Sequence, residues 1–436
     1  MIKNFFNLAT TFAREKVLEI SNVGYEAVNI SRFTEKEVTI KKDELFISGQ
    51  KYDLKKYRRI FLAAFGKGSS NFALSFSKIL GSRLTGGIAL DIKKPEISIW
   101  DTLPEEITFL VGTHPLPSLK NVEATRRIIK MADRLGRDDL IFFLITGGGS
   151  SLFCGSEEEM EEVVQITKLL TRGGAPIGEL NTVRKHLSEV KGGNLAKIAY
   201  PAKVISLIVS DVCFEKEEEG IKMVASGPTV FDETNVSDAR NVLIKYGINP
   251  EGFKLKETPK DKMIFEKTEN IIFASNRDAL VKMARKIEEL EFKPKIFSAS
   301  IKGEAKDVFK NMAEEIKKGE IIIAGGETTV TIKGKGGKGG RNQEAVLGGL
   351  SFFDFKEYFD ESFILAALAS DGRDNSEAAG AIGDWKIIEE AKRKKINYRK
   401  YLEEHNEFPF FEQTGGLVFA DQESFNVADF LIIGRI

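Results

Sequence analysis

The sequence predicts an α/β protein with largely parallel sheets, organised in two domains. Short runs of β-branched and other apolar residues alternate with helical patterns along most of the chain, as in proteins whose strands are connected by helices. The run at 140–145 is apolar throughout, which is typical of a parallel strand covered on both faces. Many of the 39 glycines directly follow such runs, where open parallel sheets carry their ligand-binding loops.

The composition excludes several classes of protein. The chain has 436 residues, 42% of them hydrophobic, which is enough for two domains with substantial cores. Its 64 Lys and Arg balance 65 Asp and Glu, which argues against nucleic-acid binding through excess positive charge. Two cysteines and three histidines are too few for a disulfide scaffold or a zinc cluster. No signal peptide and no apolar run of about 20 residues is identified, so we expect a cytoplasmic protein without a membrane partner.

The predicted elements divide near a Lys/Glu-rich, proline-containing stretch at 246–269, giving domains of residues 1–250 and 251–436. In the first domain we expect strands at 60–64, 88–90, 108–111, 140–145 and 204–209, separated by helices that include 120–135 and 156–170. In the second domain we expect strands at 271–274, 321–324 and 363–369, with a helix at 277–290.

One loop combines three glycines with two hydroxyl groups, and its residues are Gly147, Gly148, Gly149, Ser150 and Ser151. Glycines let the backbone approach a ligand closely, and successive N–H groups can then bind an anion. A tight turn is the alternative, but a turn needs fewer glycines. We therefore expect this loop to bind a phosphate or a carboxylate.

A second loop, at 333–341, contains five glycines and four cations between an alternating strand at 328–332 and a helix beginning near Asn342. This composition suits a polyphosphate site ahead of a helix N-terminus, although a solvated hairpin tip has the same composition. The spacing does not match the Walker P-loop. The candidate nucleotide-binding residues are Gly337, Lys338, Gly339, Gly340 and the nearby Glu327.

A third glycine-rich loop places Lys67 between a strand and a helix, where its ammonium could meet a transferred phosphate. The same loop also resembles an incomplete dinucleotide fingerprint, with Gly66, Gly68 and, after the next strand, Asp91. NAD binding therefore stays open as a weaker alternative.

A helix is predicted at 181–191, ended by the glycines at 192 and 193. Its polar stripe contains Asn181, Arg184, Ser188 and Lys191, and this pattern is also that of an ordinary surface helix. If the stripe faces an anion-binding loop, Arg184 and Lys191 become candidates for contact with a substrate carboxylate or phosphate.

Two carboxylates at strand ends, Asp211 and Asp371, are candidate Mg²⁺ ligands, although a strand-end Asp is also a frequent helix cap. His114 lies in a rigid proline-containing loop after a strand and is a candidate for substrate contact. His405 lies in a charged segment and is expected to face solvent. The cysteines, Cys154 and Cys213, are expected to be buried thiols rather than nucleophiles.

These segments together resemble the type II glycerate kinases, which combine a large N-terminal glycerate kinase domain with a C-terminal MOFRL domain. The resemblance covers most of the chain, and many short motifs occur in the family's order. They lie at 64–68, 112–115, 145–151, 181–188, 191–193, 225–229, 325–330, 339–344 and 378–381.

The resemblance implies ATP-dependent phosphorylation of D-glycerate, most often to 2-phosphoglycerate, with Mg²⁺ or another divalent cation. It implies two three-layer α/β/α domains with the active site in the interdomain cleft. The N-terminal domain would be Rossmann-like with a mainly parallel sheet, and the MOFRL region would span about 315–436. The family's active-site lysine and arginine map onto Lys67 and Arg341.

The sequence departs from the family's pattern at 213–216, 374–377 and 420–425, which leaves the acceptor and the phosphorylated hydroxyl open. An NAD(P)H-dependent hydroxypyruvate reductase and an inactive sugar-acid or nucleotide-binding regulator are the alternative functions. The sequence does not distinguish a monomer from a homodimer.

Overall fold

The computed structural model describes residues 1–96, 103–214, 216–332, 334–356, 360–422 and 426–436. The chain forms two compact units. The parallel-sheet unit comprises Ile30–Val212 and Lys216–Ala274, and the mixed-sheet unit comprises Met1–Asn29, Cys213–Glu215 and Ser275–Ile436.

The strands, in chain order, are β1 (Val38–Lys41), β2 (Glu44–Ile47), β3 (Gln50–Asp53), β4 (Arg59–Phe65), β5 (Leu84–Asp91), β6 (Ile107–Val111), β7 (Asp139–Ile145), β8 (Lys203–Val209), β9 (Thr268–Ala274), β10 (Lys293–Ile301), β11 (Glu320–Gly326), β12 (Phe363–Ala369), β13 (Gly380–Asp384), β14 (Leu417–Val418) and β15 (Asp429–Arg435).

The α-helices, in chain order, are α1 (Phe5–Leu8), α2 (Phe12–Val28), α3 (Ile30–Glu37), α4 (Ser69–Leu80), α5 (Leu119–Ala132), α6 (Gly149–Leu152), α7 (Glu157–Arg172), α8 (Ile177–Leu187), α9 (Asn194–Ala199), α10 (Glu217–Met223), α11 (Val236–Lys245), α12 (Lys262–Glu266), α13 (Asn276–Glu289), α14 (Val308–Ala313), α15 (Arg341–Lys356), α16 (Trp385–Arg393), α17 (Tyr398–Glu403) and α18 (Glu407–Thr414). Short 3₁₀ turns lie at Leu54–Lys56, Gly81–Arg83, Val224–Ser226, Pro250–Gly252 and Ala305–Asp307. In the described part of the chain, every helix is too short or too polar to cross a membrane.

The parallel-sheet unit has the strand order of a Rossmann fold. Its main sheet runs β6-β5-β4-β7-β8-β9, and every neighbouring pair in it is parallel. Both faces are covered, because successive side chains of a strand point to opposite faces. Phe143 of β7 packs in a cluster with Ile128 of α5, whereas the ring of Phe142 lies 4.9 Å from that of Phe76 in α4. The predicted α/β class and Rossmann-like sheet are confirmed. β1, β2 and β3 form a small separate antiparallel sheet.

The mixed-sheet unit has a largely antiparallel sheet, unlike the largely parallel sheets that the strand patterns predict. Its strands run in the order β10-β11-β15-β12-β13-β14, and only β10 and β11 form a parallel pair within it. Helices again cover both faces: Leu431 of β15 packs with Leu347 of α15, and the ring of Tyr25 in α2 lies 6.0 Å from Phe430. The apolar sequence of a strand does not show whether it pairs in parallel or antiparallel, because a central strand is buried on both faces in either case.

The boundary between the units differs from the predicted one near residue 250. The strand expected at 271–274 in the second domain is part of β9, which pairs in parallel with β8, for example Ile271 opposite Leu207. The N-terminal helix α2 packs against α13 instead of joining the parallel-sheet unit. Both differences arise from long-range pairing, which local patterns do not specify.

Two predicted elements are corrected. The segment 328–332 is not a strand, and Thr329 alone forms a bridge, with Glu304. The helix expected at 181–191 spans Ile177–Leu187 as α8, and Ser188 follows it in an extended conformation.

Candidate functional site

The first and fourth strands of the Rossmann order, β4 and β7, are neighbours, and the loops that follow them meet at this switch point. The N–H of Lys67 donates to the carbonyl of Gly147 over 2.8 Å. Gly66 has φ +119°, and a β-carbon there would lie only 2.2 Å from Oγ1 of Thr146, so the close approach requires glycine. In open α/β sheets, ligands bind in the crevice at such a switch point.

Lys67 and His114 converge on Gly148. A β-carbon at Gly148 would lie 3.1 Å from Nε2 of His114 and 3.1 Å from Cγ of Lys67. Partial burial, followed by the positive charge of Lys67, lowers the pKa of His114. Among the described residues, no carboxylate forms an ion pair with Lys67. The site therefore combines a cation available to an anion with a neutral imidazole at pH 7.

The glycine loop itself has the features of an anion site. Within the described residues, no hydrogen bond is formed by the N–H groups of Gly147 and Gly148, and Gly148 has φ +78°. Gly149 begins the short helix α6 and faces Ala225, whose β-carbon would lie 2.7 Å from a side chain at 149. The predicted serines, Ser150 and Ser151, are both half-buried, and the N–H of Ser151 donates to the carbonyl of Gly148.

A chain of polar side chains connects the loop to α8. The hydroxyl groups of Ser150 and Ser226 lie 3.1 Å apart, and Ser226 donates to Oδ1 of Asn181 over 3.2 Å. Ala225 and Ser226 have φ values of +50° and +60°, a strained region for residues other than glycine. This strained turn holds Ser226 between the glycine loop and Asn181.

Arg184 lies one turn after Asn181 on α8 and is half-buried. Its Nη2 donates to Oγ1 of Thr167 over 2.9 Å, while its buried Nε has no hydrogen-bond partner in the described structure. Burial lowers the pKa of the guanidinium, and no carboxylate of the described residues neutralises it. A buried, unneutralised guanidinium is suited to an anionic group.

Lys191 has a different role from the predicted substrate contact. Its side chain is 1% exposed, and Nζ lies 2.7 Å from Oε1 of Glu159 and 2.9 Å from the carbonyl of Phe153. Ser188 donates to the same carboxylate oxygen over 2.6 Å. The expectation that Lys191 binds substrate is corrected, because its ammonium is enclosed and satisfied by protein groups.

The carboxylate of Asp91 is also bound by groups of the protein itself. Its carboxylate, 1% exposed, accepts hydrogen bonds from the N–H groups of Gly68 and Ser70 at 3.1 and 2.9 Å, at the start of α4. In a dinucleotide site an acidic residue at this position binds the ribose, and the helix N-terminus binds the pyrophosphate. Here the carboxylate of Asp91 binds the N-terminus of α4. The incomplete dinucleotide fingerprint therefore no longer supports NAD binding.

Asp211 follows β8 and lies beside the glycine loop. A β-carbon at Gly147 would lie 2.0 Å from its Oδ2, so the carboxylate contacts the loop backbone directly. Asp211 is half-buried, which leaves it suitable for a cation next to a bound phosphate.

In the mixed-sheet unit, Arg341 is held by two carboxylates. Its Nε and Nη2 donate to Asp429 over 2.5 and 3.1 Å, and Nη1 lies 2.8 Å from Glu327. Burial opposes the charged guanidinium, but hydrogen bonds to Asp429 and the charge of Glu327 outweigh it and raise the pKa of Arg341. Burial raises the pKa of Asp429 to about 6 despite its bonds to Arg341. Sequence reasoning missed Asp429, which follows a segment without any motif.

The segment 337–340 does not form an open loop around a phosphate site. A β-carbon at Gly337 would lie 2.4 Å from Asn406, one at Gly339 2.3 Å from Glu407, and one at Gly340 2.2 Å from the carbonyl of Asp374. Lys338 pairs with Glu377 over 2.6 Å. These glycines allow close packing of backbone segments.

The N-terminus of α15 is also occupied. The N–H groups of Asn342 and Gln343 donate to the two carboxylate oxygens of Asp374, at 3.1 and 2.9 Å. This corrects the expectation that a polyphosphate binds there, because a buried carboxylate of the protein already fills that position. Asp374 lies in one of the segments that depart from the family's pattern.

A cavity of about 320 Å³ lies beside Arg341 and is lined by Glu344, His405 and Glu407. The expectation that His405 faces solvent is wrong, since its side chain is 14% exposed and Nδ1 lies 2.8 Å from Oε2 of Glu344. Burial, together with the neighbouring charges of Glu344 and Asp374, raises the pKa of Glu407 to about 9.

The other candidate residues lie at separate places in the fold. Asp371 follows β12, is half-buried and accepts the N–H of Arg373 over 3.0 Å. Cys154 is buried, as predicted, and Cys213 is half-buried. Lys333 of the second loop, and residues 215 and 423–425 of the departing segments, lie outside the described residues.

Comparisons with known proteins give the family. The model named Domain of unknown function (DUF4147) matches residues 16–257, and the MOFRL family model matches residues 320–429. A glycerate 2-kinase of Pyrococcus horikoshii is 32% identical over 96% of this chain and 96% of its own. The chain belongs to the type II glycerate kinase family.

The glycerate kinase family also gives a structural match. A crystal structure of glycerate kinase from Thermotoga maritima is 30% identical, with a TM-score of 0.83 over 97% of this chain and 99% of that one. A relative from Agrobacterium vitis, 33% identical over 74% of this chain and 76% of its own, is named a putative hydroxypyruvate reductase. The predicted family resemblance is confirmed.

Proposed function

We propose that this glycerate kinase family member transfers the γ-phosphoryl group of ATP to D-glycerate, with 2-phosphoglycerate as product. The relatives named glycerate 2-kinase support the acceptor and the product. The observation that carries the proposal is the switch-point site, where Lys67 lies without an ion-pair partner in the described structure beside the glycine loop.

The switch-point loops bind phosphate groups in this proposal. Phosphoryl transfer depends on positioning and on compensating the charge of the transferring group, more than on covalent chemistry. The ammonium of Lys67 and the N–H groups of Gly147 and Gly148 supply that compensation. His114 is neutral at pH 7 and accepts a hydrogen bond from a substrate hydroxyl.

Arg184 binds the glycerate carboxylate in this proposal. Its guanidinium is half-buried on α8 without a carboxylate partner among the described residues, and an anion would satisfy its unpartnered Nε. Asn181 and Ser150, which are linked through Ser226, orient the substrate hydroxyl groups. Lys191 is left out, because Glu159 already holds it.

The residues present fit a divalent cation at the switch point. Asp211 presents a carboxylate against the phosphate loop, and Mg²⁺ in phosphoryl-transfer enzymes is bound by one or two carboxylates plus phosphate oxygens. Bound there, Mg²⁺ would neutralise phosphate charge. Asp371, in the mixed-sheet unit, stays a proposed cation ligand.

Arg341, in the mixed-sheet unit, is a further proposed phosphate-binding residue through its remaining donors. A guanidinium has five N–H donors, and Asp429 and Glu327 take three of those of Arg341. The two carboxylates fix the orientation of the side chain, so the remaining N–H groups are preorganised.

The test is product analysis by ³¹P NMR with purified protein, ATP, Mg²⁺ and D-glycerate, which separates 2-phosphoglycerate from 3-phosphoglycerate. Formation of 2-phosphoglycerate supports the proposal. No phospho-product, but a raised melting temperature with D-glycerate or ATP, would indicate a binding protein instead.

Hydroxypyruvate reduction is not favoured, because Asp91 occupies the start of α4 where a dinucleotide would bind. NADH oxidation followed at 340 nm with hydroxypyruvate measures this directly, and we expect no change. Cytoplasmic location and oligomeric state stay predictions.

A further inference from the structure

Three metal-binding side chains meet in the mixed-sheet unit, in the cavity beside Arg341. Glu344 lies in the first turn of α15, Glu407 begins α18, and His405 lies two residues before Glu407. One donor atom from each of the three residues lies within 4.8 Å of the other two. The three donors therefore come from two separate segments that the fold brings together.

Both carboxylates are buried with an unsatisfied oxygen. Glu344 and Glu407 are each 1% exposed, and Oε1 of each has no hydrogen-bond partner in the described structure. The imidazole of His405 lies against the other oxygen of Glu344, with 2.8 Å between Nδ1 and Oε2. Buried polar groups are normally satisfied, and buried charges are normally paired or bound to metal ions.

We propose that Glu344, His405 and Glu407 form a binding site for a divalent transition-metal ion of the Zn²⁺ type. Zn²⁺ is bound in proteins by imidazole nitrogen and carboxylate oxygen at about 2.0–2.2 Å, and three protein ligands leave a position open toward the cavity. The imidazole favours Zn²⁺ over Mg²⁺, which takes oxygen ligands. Two carboxylates also balance the charge of the ion.

A bound metal ion would stabilise the segment that carries His405 and Glu407, which lies next to Arg341. The carbonyls of Glu404 and His405 accept the N–H of Gly337, and Asn406 accepts the N–H of Lys338 over 2.9 Å. Joining the segment that carries His405 and Glu407 to α15 therefore fixes the 337–340 run as well. The site is distinct from the proposed Mg²⁺ ligands Asp211 and Asp371, and it does not rest on the proposed kinase activity.

The experiment is isothermal titration of the metal-free full chain with Zn²⁺, without nucleotide or glycerate. We expect one ion per chain, and at least about tenfold weaker binding in Glu407→Gln and in His405→Gln. The control Glu403→Gln removes an exposed carboxylate four residues from Glu407 and should bind as the unchanged chain does. Asp211→Asn and Asp371→Asn should also retain this ion.

Co²⁺ provides a second, spectroscopic readout. Its visible absorption should show a bound ion with a nitrogen ligand in the unchanged chain, and His405→Gln should lose that spectrum. Zn²⁺ should also raise the melting temperature of the unchanged chain and not that of Glu407→Gln. The proposal is overturned if the unchanged chain binds no Zn²⁺ at micromolar concentration, or if both ligand variants bind it equally well.

Discussion

His114 and Lys67 both lie close to Gly148. A methyl group at position 148 would be 3.1 Å from Nε2 of His114 and 3.1 Å from Cγ of Lys67. Residues from two different loops thus depend on the absence of a side chain at the third position. In the proposed function the same backbone binds phosphate, so the space around Gly148 decides whether the site forms.

Gly148→Ala should lower kcat/KM about a hundredfold or more, because the added methyl displaces Lys67 or His114 from the phosphate site. The matched control is Gly174→Ala in the same unit. Gly174 has a similar φ of +75°, but a β-carbon there has no neighbour within 4 Å. Both variants carry a backbone cost of about 1–2 kcal/mol. Equal activities in the two variants would contradict the steric argument.

Lys191→Met should destabilise the protein by about 3–5 kcal/mol at pH 7, because it leaves the buried carboxylate of Glu159 without its cation. Chemical denaturation measures the loss. Lys245→Met is the control, since it breaks an exposed pair with Glu179 and should have little effect. Once corrected for unfolded protein, KM for glycerate should not change in Lys191→Met.

The same pair predicts a pH dependence. Burial raises the pKa of Glu159, but the charge and hydrogen bond of Lys191 outweigh this and leave it below its ordinary value of 4.5. A carboxyl group with a lowered folded pKa stabilises above its unfolded pKa, and this stability is lost as the pH falls through the folded value. The difference between the unchanged chain and Lys191→Met should therefore shrink as the pH falls from 7 toward and below about 4.5, because protonation of Glu159 relieves the variant and weakens the pair in the unchanged chain. A difference that stays constant from pH 7 to pH 3 would show that the pair is not responsible.

Asp429→Asn should reduce kcat at least about tenfold, because Arg341 loses its bidentate anionic partner. Burial raises the pKa of Asp429 to about 6, so protonation should weaken its hold on Arg341 as the pH falls through that value. The pH profile of kcat should show an acid limb near pH 6 that Asp429→Asn lacks. Glu327→Gln removes one exposed contact only and should keep the limb.

Cys154 should resist thiol reagents in the folded protein. Burial, and next the charge of Glu159, raise the pKa of its thiol to about 12, so hardly any thiolate forms at neutral pH. Thiol titration should detect Cys213 first and Cys154 only on unfolding. Rapid labelling of Cys154 in the native state would be inconsistent with the described core.

The features that the sequence predicted well are local. The strands β4 and β7, the glycine loops after them and Lys67 are each marked by neighbouring residues, because a buried parallel strand and its loop form one continuous signal. The convergence of Lys67, His114 and Gly148 follows from the strand order, which local patterns do not specify.

The features that the sequence did not predict depend on partners that are distant in the sequence. Glu159 lies 32 positions from Lys191, and without it the polar stripe predicted for 181–191 resembles a solvent-facing surface. Asp91 and Asp374 fill helix N-termini that sequence patterns left open to phosphates. His405 stands among charged neighbours, yet the fold buries it beside Glu344.

In the proposed function, the switch-point loop of the parallel-sheet unit binds the transferred phosphate through Lys67. Steady-state phosphorylation of D-glycerate by Lys67→Ala tests it most directly, beside Lys56→Ala, which removes an exposed lysine of the same unit. We predict that kcat/KM falls at least about a hundredfold in Lys67→Ala and stays unchanged in Lys56→Ala. Turnover by Lys67→Ala close to that of the unchanged chain would contradict the claim.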